Sequence, residues 1–267
     1  MTAVSYTLTD SATLLRRNLR RLRRYPSMTL MLVGMPIVFM LLFVYAFGGQ
    51  LSHGLPGALA GGHSGRAGYL NYITPGILLV TVAAAVQGTA IVVAMDMTGG
   101  IIDRFRTMAI TRSAVLTGHV LASLIQNFAS CVVIVGVAVA LGFRPTARPT
   151  AWLATIGMLM LFSIALAWLA TALGLVAKSV ETASNTPMFL TLLPFLGSGF
   201  VPTATMPAGL RQFAEYQPFT PITETLRGLL TGTGIGTNSI AATAWSIGIG
   251  LTSYLWARRL YQHHTPR

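Results

Sequence analysis

Charged residues in this sequence fall in a few short clusters, and the gaps between them set its fold class. Six windows carry no Asp, Glu, Lys or Arg: 25–65, 67–95, 113–143, 149–177, 182–210 and 228–257. They are 41, 29, 31, 29, 29 and 30 residues long, and no other gap reaches ten. A bilayer-spanning helix needs about 20 predominantly apolar residues, so every window is long enough. Only 9% of the chain is charged and 53% is hydrophobic, against roughly 25% charged in soluble domains. Too little polar surface remains for a soluble enzyme, and disorder needs low hydrophobicity and high charge. The expectation is an all-α membrane protein, one domain over 1–267 with six transmembrane helices near 27–47, 69–95, 114–141, 151–177, 183–201 and 238–257.

An even number of spans puts both termini on one side. With the termini in the cytoplasm, inside segments hold thirteen basic residues (six from Arg16 to Arg24, then Arg104, Arg106, Arg112, Lys178, Arg258, Arg259 and Arg267). Outside segments hold five: Arg66, Arg144, Arg148, Arg211 and Arg227. That is the positive-inside pattern, so the +12 net charge is read by membrane side and not as nucleic-acid binding. Ser27–Phe47 exceeds the 7–15 apolar residues of a secretory signal, and is expected to be the first retained span. The single cysteine, Cys131, lies in an apolar window and reads as a structural thiol.

Ahead of that span, Leu8, Ala12, Leu15, Leu19 and Leu22 recur at helical spacing, with Arg16, Arg20 and four more arginines around them. This is the pattern of an amphipathic helix lying in the membrane interface. It serves either as a topology anchor or as a dock for a cytoplasmic partner. His53, His63, His263 and His264 have no ligand-spaced companions and read as solvated. His119, just inside the third span, reads as a hydrogen-bonded interfacial histidine.

The phosphate-cradling loop G-x-x-x-x-G-K-[ST] is absent; near the lone lysine, Ala177 stands where it needs glycine. Neither H-E-x-x-H nor a Cys/His cluster occurs, so the chain is expected not to be an enzyme, with no cofactor of its own. The acids Asp10, Asp96, Asp103, Glu181, Glu215 and Glu224 fall in loops or at span ends. Ion-coupled transporters place acids within their spans, which disfavours that mechanism here.

Two segments depart from a plain series of spans. Between spans two and three, Ile101, Phe105 and Met108 share one helical face among Asp103, Arg104, Arg106 and Ile110. Such a short amphipathic helix either lies on the membrane or fits a groove on another protein. Before span six, Thr220-Pro221 reads as a helix cap and first position, with Glu224 in the first turn. Ile222, Leu226, Leu229 and Leu230 give its apolar face and Gly232 its end. A preceding helix, 207–216, places Leu210, Phe213 and Ala214 on one side. The pair reads either as re-entrant helices, allowed where irregular backbone is buried in protein, or as interfacial helices stiffening a loop.

With these segments the chain resembles the transmembrane subunit of ABC-2-type exporters, and within them the daunorubicin-resistance branch of drug-efflux permeases. The matching features are the basic N-terminal helix, Met35-Pro36-Ile37 through Phe47-Gly48-Gly49, and Asn71-Tyr72-Ile73-Thr74-Pro75-Gly76. The stretches 100–112 and Gln217-Pro-Phe-Thr-Pro-Ile-Thr-Glu-Thr-Leu-Arg-Gly-Leu-Leu also match. The resemblance implies a multi-pass protein of the bacterial cell membrane, in a dimer of permease copies, the same or different. It also implies two cytoplasmic ATPase subunits, with ATP and Mg bound there and not on this chain. It makes Asp103, Arg104, Phe105, Arg106, Met108 and Ile110 the contacts of a coupling helix, supported by Leu15, Arg16, Leu19, Arg20 and Leu22. The family often has Glu near Asp103. Pro221, Glu224, Leu226 and Arg227 would belong to an external gate. Spans one, two and five, with Asn71, Gln87 and Asn185, would line the path of a hydrophobic or amphipathic substrate, an antibiotic or a lipid-like compound. The alternatives are an ion-coupled secondary transporter and a structural membrane subunit.

Overall fold

A computed structural model describes residues 26–51, 65–98 and 112–263. Helix α1 runs Pro26–Leu42 and continues through a π-helical turn, Phe43–Phe47, and a last turn, Gly48–Leu51. Then come α2 (Gly65–Thr98), α3 (Arg112–Ala140), α4 (Pro149–Val176), α5 (Val180–Asn185) and α6 (Met188–Leu192). A 3-10 turn, Leu193–Leu196, leads to α7 (Ala208–Tyr216), α8 (Phe219–Thr231) and α9 (Asn238–His263). No strand occurs among the described residues. The expected interfacial helix, with Leu15, Arg16, Leu19, Arg20 and Leu22, lies outside the described residues, as do Asp103, Arg104, Phe105, Arg106, Met108 and Ile110.

Four stretches are long and apolar enough to cross a membrane: Leu32–Gln50, Gly65–Thr98, Leu116–Ala140 and Pro149–Val176. They fall where the first four windows placed spans. The fifth expected span, 183–201, is not one helix. Pro187 and Pro194 each remove a backbone donor, and the chain passes from α5 to α6 to the 3-10 turn, ending in Gly197-Ser198-Gly199. Helix α9 is continuous over 26 residues, about 39 Å at 1.5 Å per residue, and runs six residues past its expected end. Its sequence is less apolar, with Ser, Thr and Gly throughout and Arg258 and Arg259 near its end.

Helix α2 is the core of the bundle. Every residue from Gly68 to Ala83 is buried, so over this stretch the helix is covered on all sides by its neighbours. It packs on α1, α3, α4 and α8, while α9 lies along α4. Helices α2 and α3 are antiparallel: Asn71 meets Arg144, Thr89 meets Ser123 and Asp96 meets His119. Thr74, Thr81 and Thr89 return their hydroxyl protons to carbonyls four residues earlier, which hides these donors inside the helix. Close crossings rest on glycine. A Cβ on Gly174 of α4 would lie 2.7 Å from the Ala90 carbonyl oxygen of α2, the small-residue contact that brings membrane helices together. Helix α1, by contrast, turns Met35, Val38, Leu42 and Tyr45 outward, an apolar surface that lipid solvates and water does not.

Candidate functional site

At the end of the bundle where α2 begins, α8 lies across α2 and α4. Helix α8 starts at Phe219, after Pro218 at the cap position. Thr220 is therefore not its cap and Glu224 is not in its first turn, contrary to the sequence expectation. Two prolines near the start, Pro218 and Pro221, let the helix begin two residues earlier than the Thr-Pro pair implies, because neither donor is needed there. Ile222, Leu226 and Leu230 are fully buried against the main core, with Leu229 at its edge. Gly232 ends the helix at φ +72, the left-handed conformation in which glycine carries no Cβ penalty. On α7 only Ala214 is buried, and Leu210 and Phe213 face outward.

The burial of Leu226 sets its neighbour Arg227 into the protein, 1% exposed and the largest fully buried side chain described. Its guanidinium reaches three segments. Nε and Nη2 donate to the Tyr72 carbonyl at 3.3 Å each, and Nη2 donates to the Ser198 carbonyl at 2.7 Å. Nη1 pairs with Glu224 one turn earlier on α8. The guanidinium carbon also stands 3.8 Å from the centre of the Tyr72 ring, a cation–π contact in a desolvated place. A buried charge needs this many partners, and the planar fork of arginine supplies donors in several directions at once.

Ser198 sits at the centre of the arrangement. Its carbonyl also accepts from the Tyr72 hydroxyl at 2.9 Å, and its N–H donates to the Thr220 hydroxyl oxygen at 3.3 Å. Two residues on, the Phe200 carbonyl accepts from the Tyr69 hydroxyl at 3.2 Å. The Gln217 amide donates to the Leu193 carbonyl at 2.9 Å. Gly76 and Gly199 make the approach possible, since a Cβ on Gly76 would fall 2.5 Å from the Gly199 carbonyl oxygen. Non-helical backbone inside an apolar bundle must find its hydrogen bonds from protein, and side chains of α2 and α8 provide them. Among the described residues the buried Ser198 hydroxyl and the Gln217 amide oxygen have no hydrogen-bond partner.

The predicted gate residues are thus gathered in one place but do different things. Arg227 and Glu224 form the polar tie, while Leu226 packs in the core. Pro221 is buried, and its carbonyl accepts from the Thr225 hydroxyl. From sequence Thr220 is read only as a helix cap, Tyr72 and Gln217 enter only as parts of longer motifs, and Ser198 has no assigned part. Irregular Gly-Ser-Gly backbone inside an apolar window was the available signal, because it demands donors from elsewhere. The expected path-lining residues separate. The Asn71 side-chain oxygen accepts from the Arg144 amide, and Gln87 donates to the Ser184 carbonyl and hydroxyl. Asn185 is exposed. An open groove of about 800 Å³ lies beside α7, lined by Leu193, Phe213, Glu215, Tyr216, Gln217 and Trp245, among others.

At the opposite end, Asp96 is not in a loop. It is buried in the last turn of α2, its carboxylate 3.4 Å from Nε2 of His119 on α3, with both side chains 3% exposed. The expectation that His119 is hydrogen-bonded and near the edge of its span agrees with this position, and Asp96 stands at a span end, one of the two places expected for the acids, but buried against α3. A carboxylate enters a packed interior at low cost only beside a partner, and hydropathy alone cannot see that partner.

Long apolar helices around a broken, internally hydrogen-bonded segment define a polytopic helical membrane protein. The family model for ABC-2 type transporters matches residues 10–231, and the chain belongs to that family. It is 28% identical over 251 residues to the daunorubicin resistance ABC transporter permease protein DrrB1 of Streptomyces coeruleorubidus, covering 94% of this chain and 81% of the relative. It is 25% identical over 175 residues to the probable doxorubicin resistance ABC transporter permease protein DrrC of Mycobacterium tuberculosis, covering 64% of this chain and 63% of that one.

Proposed function

We propose that this chain is the membrane-spanning permease subunit of an ATP-binding-cassette exporter that moves hydrophobic or amphipathic compounds out of the cell. Antibiotics are the favoured cargo, since the relatives are named for resistance to daunorubicin and doxorubicin. In this reading the chain makes six passes through a bacterial cell membrane with both termini in the cytoplasm. The fifth pass is the broken segment and the sixth is α9. Two permease copies stand over two separate ATPase subunits, which bind ATP and Mg. Residues 103–110 dock on the ATPase, Arg104 and Arg106 pairing with its acids while Phe105 and Met108 fill a groove.

The observation that carries the reading is the Arg227 tie. Two stretches through which the sequence resembles the family, 71–76 and 217–230, meet the irregular end of the fifth pass at one buried cation. A tie of this kind joins three segments that must part for a path to open on the outer side, and so acts as an external gate. ATP binding draws the ATPase subunits together, the docked segment moves with them, and the gate segments shift against α2. Purification of the tagged chain in mild detergent from its host tests this. A stoichiometric ATP-hydrolysing subunit is expected to accompany it, and to be lost when Phe105→Asp is combined with Arg104→Glu. A folded chain with no ATPase partner would overturn the proposal.

The burial of Asp96 beside His119 is the observation that favours an ion-coupled carrier. That reading requires transport to collapse on addition of a protonophore while ATP is held constant. The exporter requires it to collapse on ATP depletion with the gradient intact.

A further inference from the structure

We propose that Asp96 and His119 form the joint through which movement at the ATPase end reaches the membrane helices. The inference rests on the exporter reading and concerns the end of the bundle opposite Arg227. Asp96 is the single fully buried acid among the described residues. It belongs to the last turn of α2, where the partial negative charge of the helix end opposes a carboxylate. A matched apolar pair would fill this place without that conflict. The pair therefore provides direction: an apolar contact slides, whereas a carboxylate against an imidazole nitrogen holds two helices in one register.

The surroundings extend the grip. Val93 and Leu116 lie three residues before Asp96 and His119, on the same helical faces. With Ala172, Leu175, Ala257 and Tyr261 they form a small apolar core separate from the main one. The joint thereby ties the ends of α2, α3, α4 and α9. Helices α2 and α3 are consecutive, and the chain between them, 99–111, contains residues 103–110, which are proposed to dock on the ATPase. A push on that stretch meets this pair before anything deeper in the bundle. Asp96 and His119 are positioning residues and touch no substrate.

The test uses the assembled transporter with its ATPase in liposomes, and daunorubicin as the probe. Asp96→Asn and His119→Gln are each expected to lower daunorubicin moved per ATP hydrolysed at least fivefold, with hydrolysis within twofold of wild type and the ATPase still bound. The exchange of Asp96→His with His119→Asp restores the pair and is expected to bring the ratio back to within twofold. Folded single variants with an unchanged ratio, or an exchange as uncoupled as the singles, would overturn the joint. Should Asp96→Asn not fold, His119→Gln, which keeps the acid, carries the same comparison.

A second readout needs no transported probe. Spin labels on Thr98→Cys and Lys178→Cys, two exposed positions at this end, report whether ATP changes the α2–α4 distance. The wild type is expected to shift and the single variants not. A wild type that shifts, with variants shifting equally, overturns the joint alone. A wild type that ignores ATP overturns the exporter reading, and the joint with it.

Discussion

Helices α7 and α8 are neighbours in sequence, and each carries one arginine–glutamate pair about a turn apart. Arg211 and Glu215 meet at 2.8 Å with side chains 50% and 41% exposed. Arg227 and Glu224 meet with side chains 1% and 25% exposed. The residue types are the same, and the consequences are opposite. On α7 the pair is open to solvent and only Ala214 is buried. On α8 ten of thirteen residues are buried, and the arginine replaces water for two backbone carbonyls. An ion pair informs about function through what it desolvates and what it satisfies, and hardly through its own presence.

The sharpest way to break this contrast is Arg227→Met. Removing one partner of a buried pair costs about 3–5 kcal/mol, because the remaining groups lose their compensation. Here Glu224 and the Tyr72 and Ser198 carbonyls all lose a donor. Thermal unfolding in detergent should show the largest drop of any single change considered, with loss of transport. Arg227→Lys keeps the charge but not the fork, and is expected to recover only part of the loss. A variant as stable as wild type would mean that the three segments do not depend on the tie.

Next in size is the close approach that lets the segments meet. The Cβ of Gly76→Ala would lie 2.5 Å from the oxygen and 2.8 Å from the Cα of Gly199. Both are backbone atoms that cannot swing aside. Overpacking of this kind costs typically about 1–3 kcal/mol. Gly209 on α7 has nothing within 4 Å of its would-be Cβ, so Gly209→Ala should be neutral or slightly stabilising. Parallel unfolding curves of the two variants measure how rigid α8's setting is compared with α7's.

Much of the frame was legible beforehand. The windows placed α2, α3 and α4 within a few residues of their observed ends, because lipid-crossing length and lack of charge are properties of one segment at a time. The fifth window misled, since apolarity there hid Pro187, Pro194 and the Gly-Ser-Gly that break the helix. The charge pattern puts Arg227 in an outside segment and Asp96 in a loop or at a span end, and says nothing of the burial of either. Whether a charge is buried depends on a partner distant in sequence: Tyr72 and Ser198 for the first, His119 for the second. Glu224 and Arg227 were recognisable through family resemblance, but their use of Tyr72 and Ser198 required the fold.

Tyr72→Phe divides the tie more finely. It removes the hydroxyl that donates to the Ser198 carbonyl at 2.9 Å and leaves an aromatic ring under the guanidinium. The carbonyl keeps its bond from Arg227, so no acceptor is stranded. The expected cost is about 0.5–1.5 kcal/mol, the net worth of one hydrogen bond. A loss equal to that of Arg227→Met would place the weight of the knot on the tyrosine.

Arg211→Ala should do least. Its partner Glu215 is itself exposed, so the carboxylate regains water when the guanidinium leaves. Exposed pairs at this helical spacing are worth about 0.3–0.5 kcal/mol, and salt screens part of that. Unfolding curves of wild type and Arg211→Ala are therefore expected to nearly coincide, and to converge fully as salt rises. A drop of several degrees that persists at high salt would mean that α7 is covered in the assembled protein, by a second permease copy or by lipid. Arg211 would then stand in an environment closer to that of Arg227, and the contrast between the two helices would belong to the isolated chain alone.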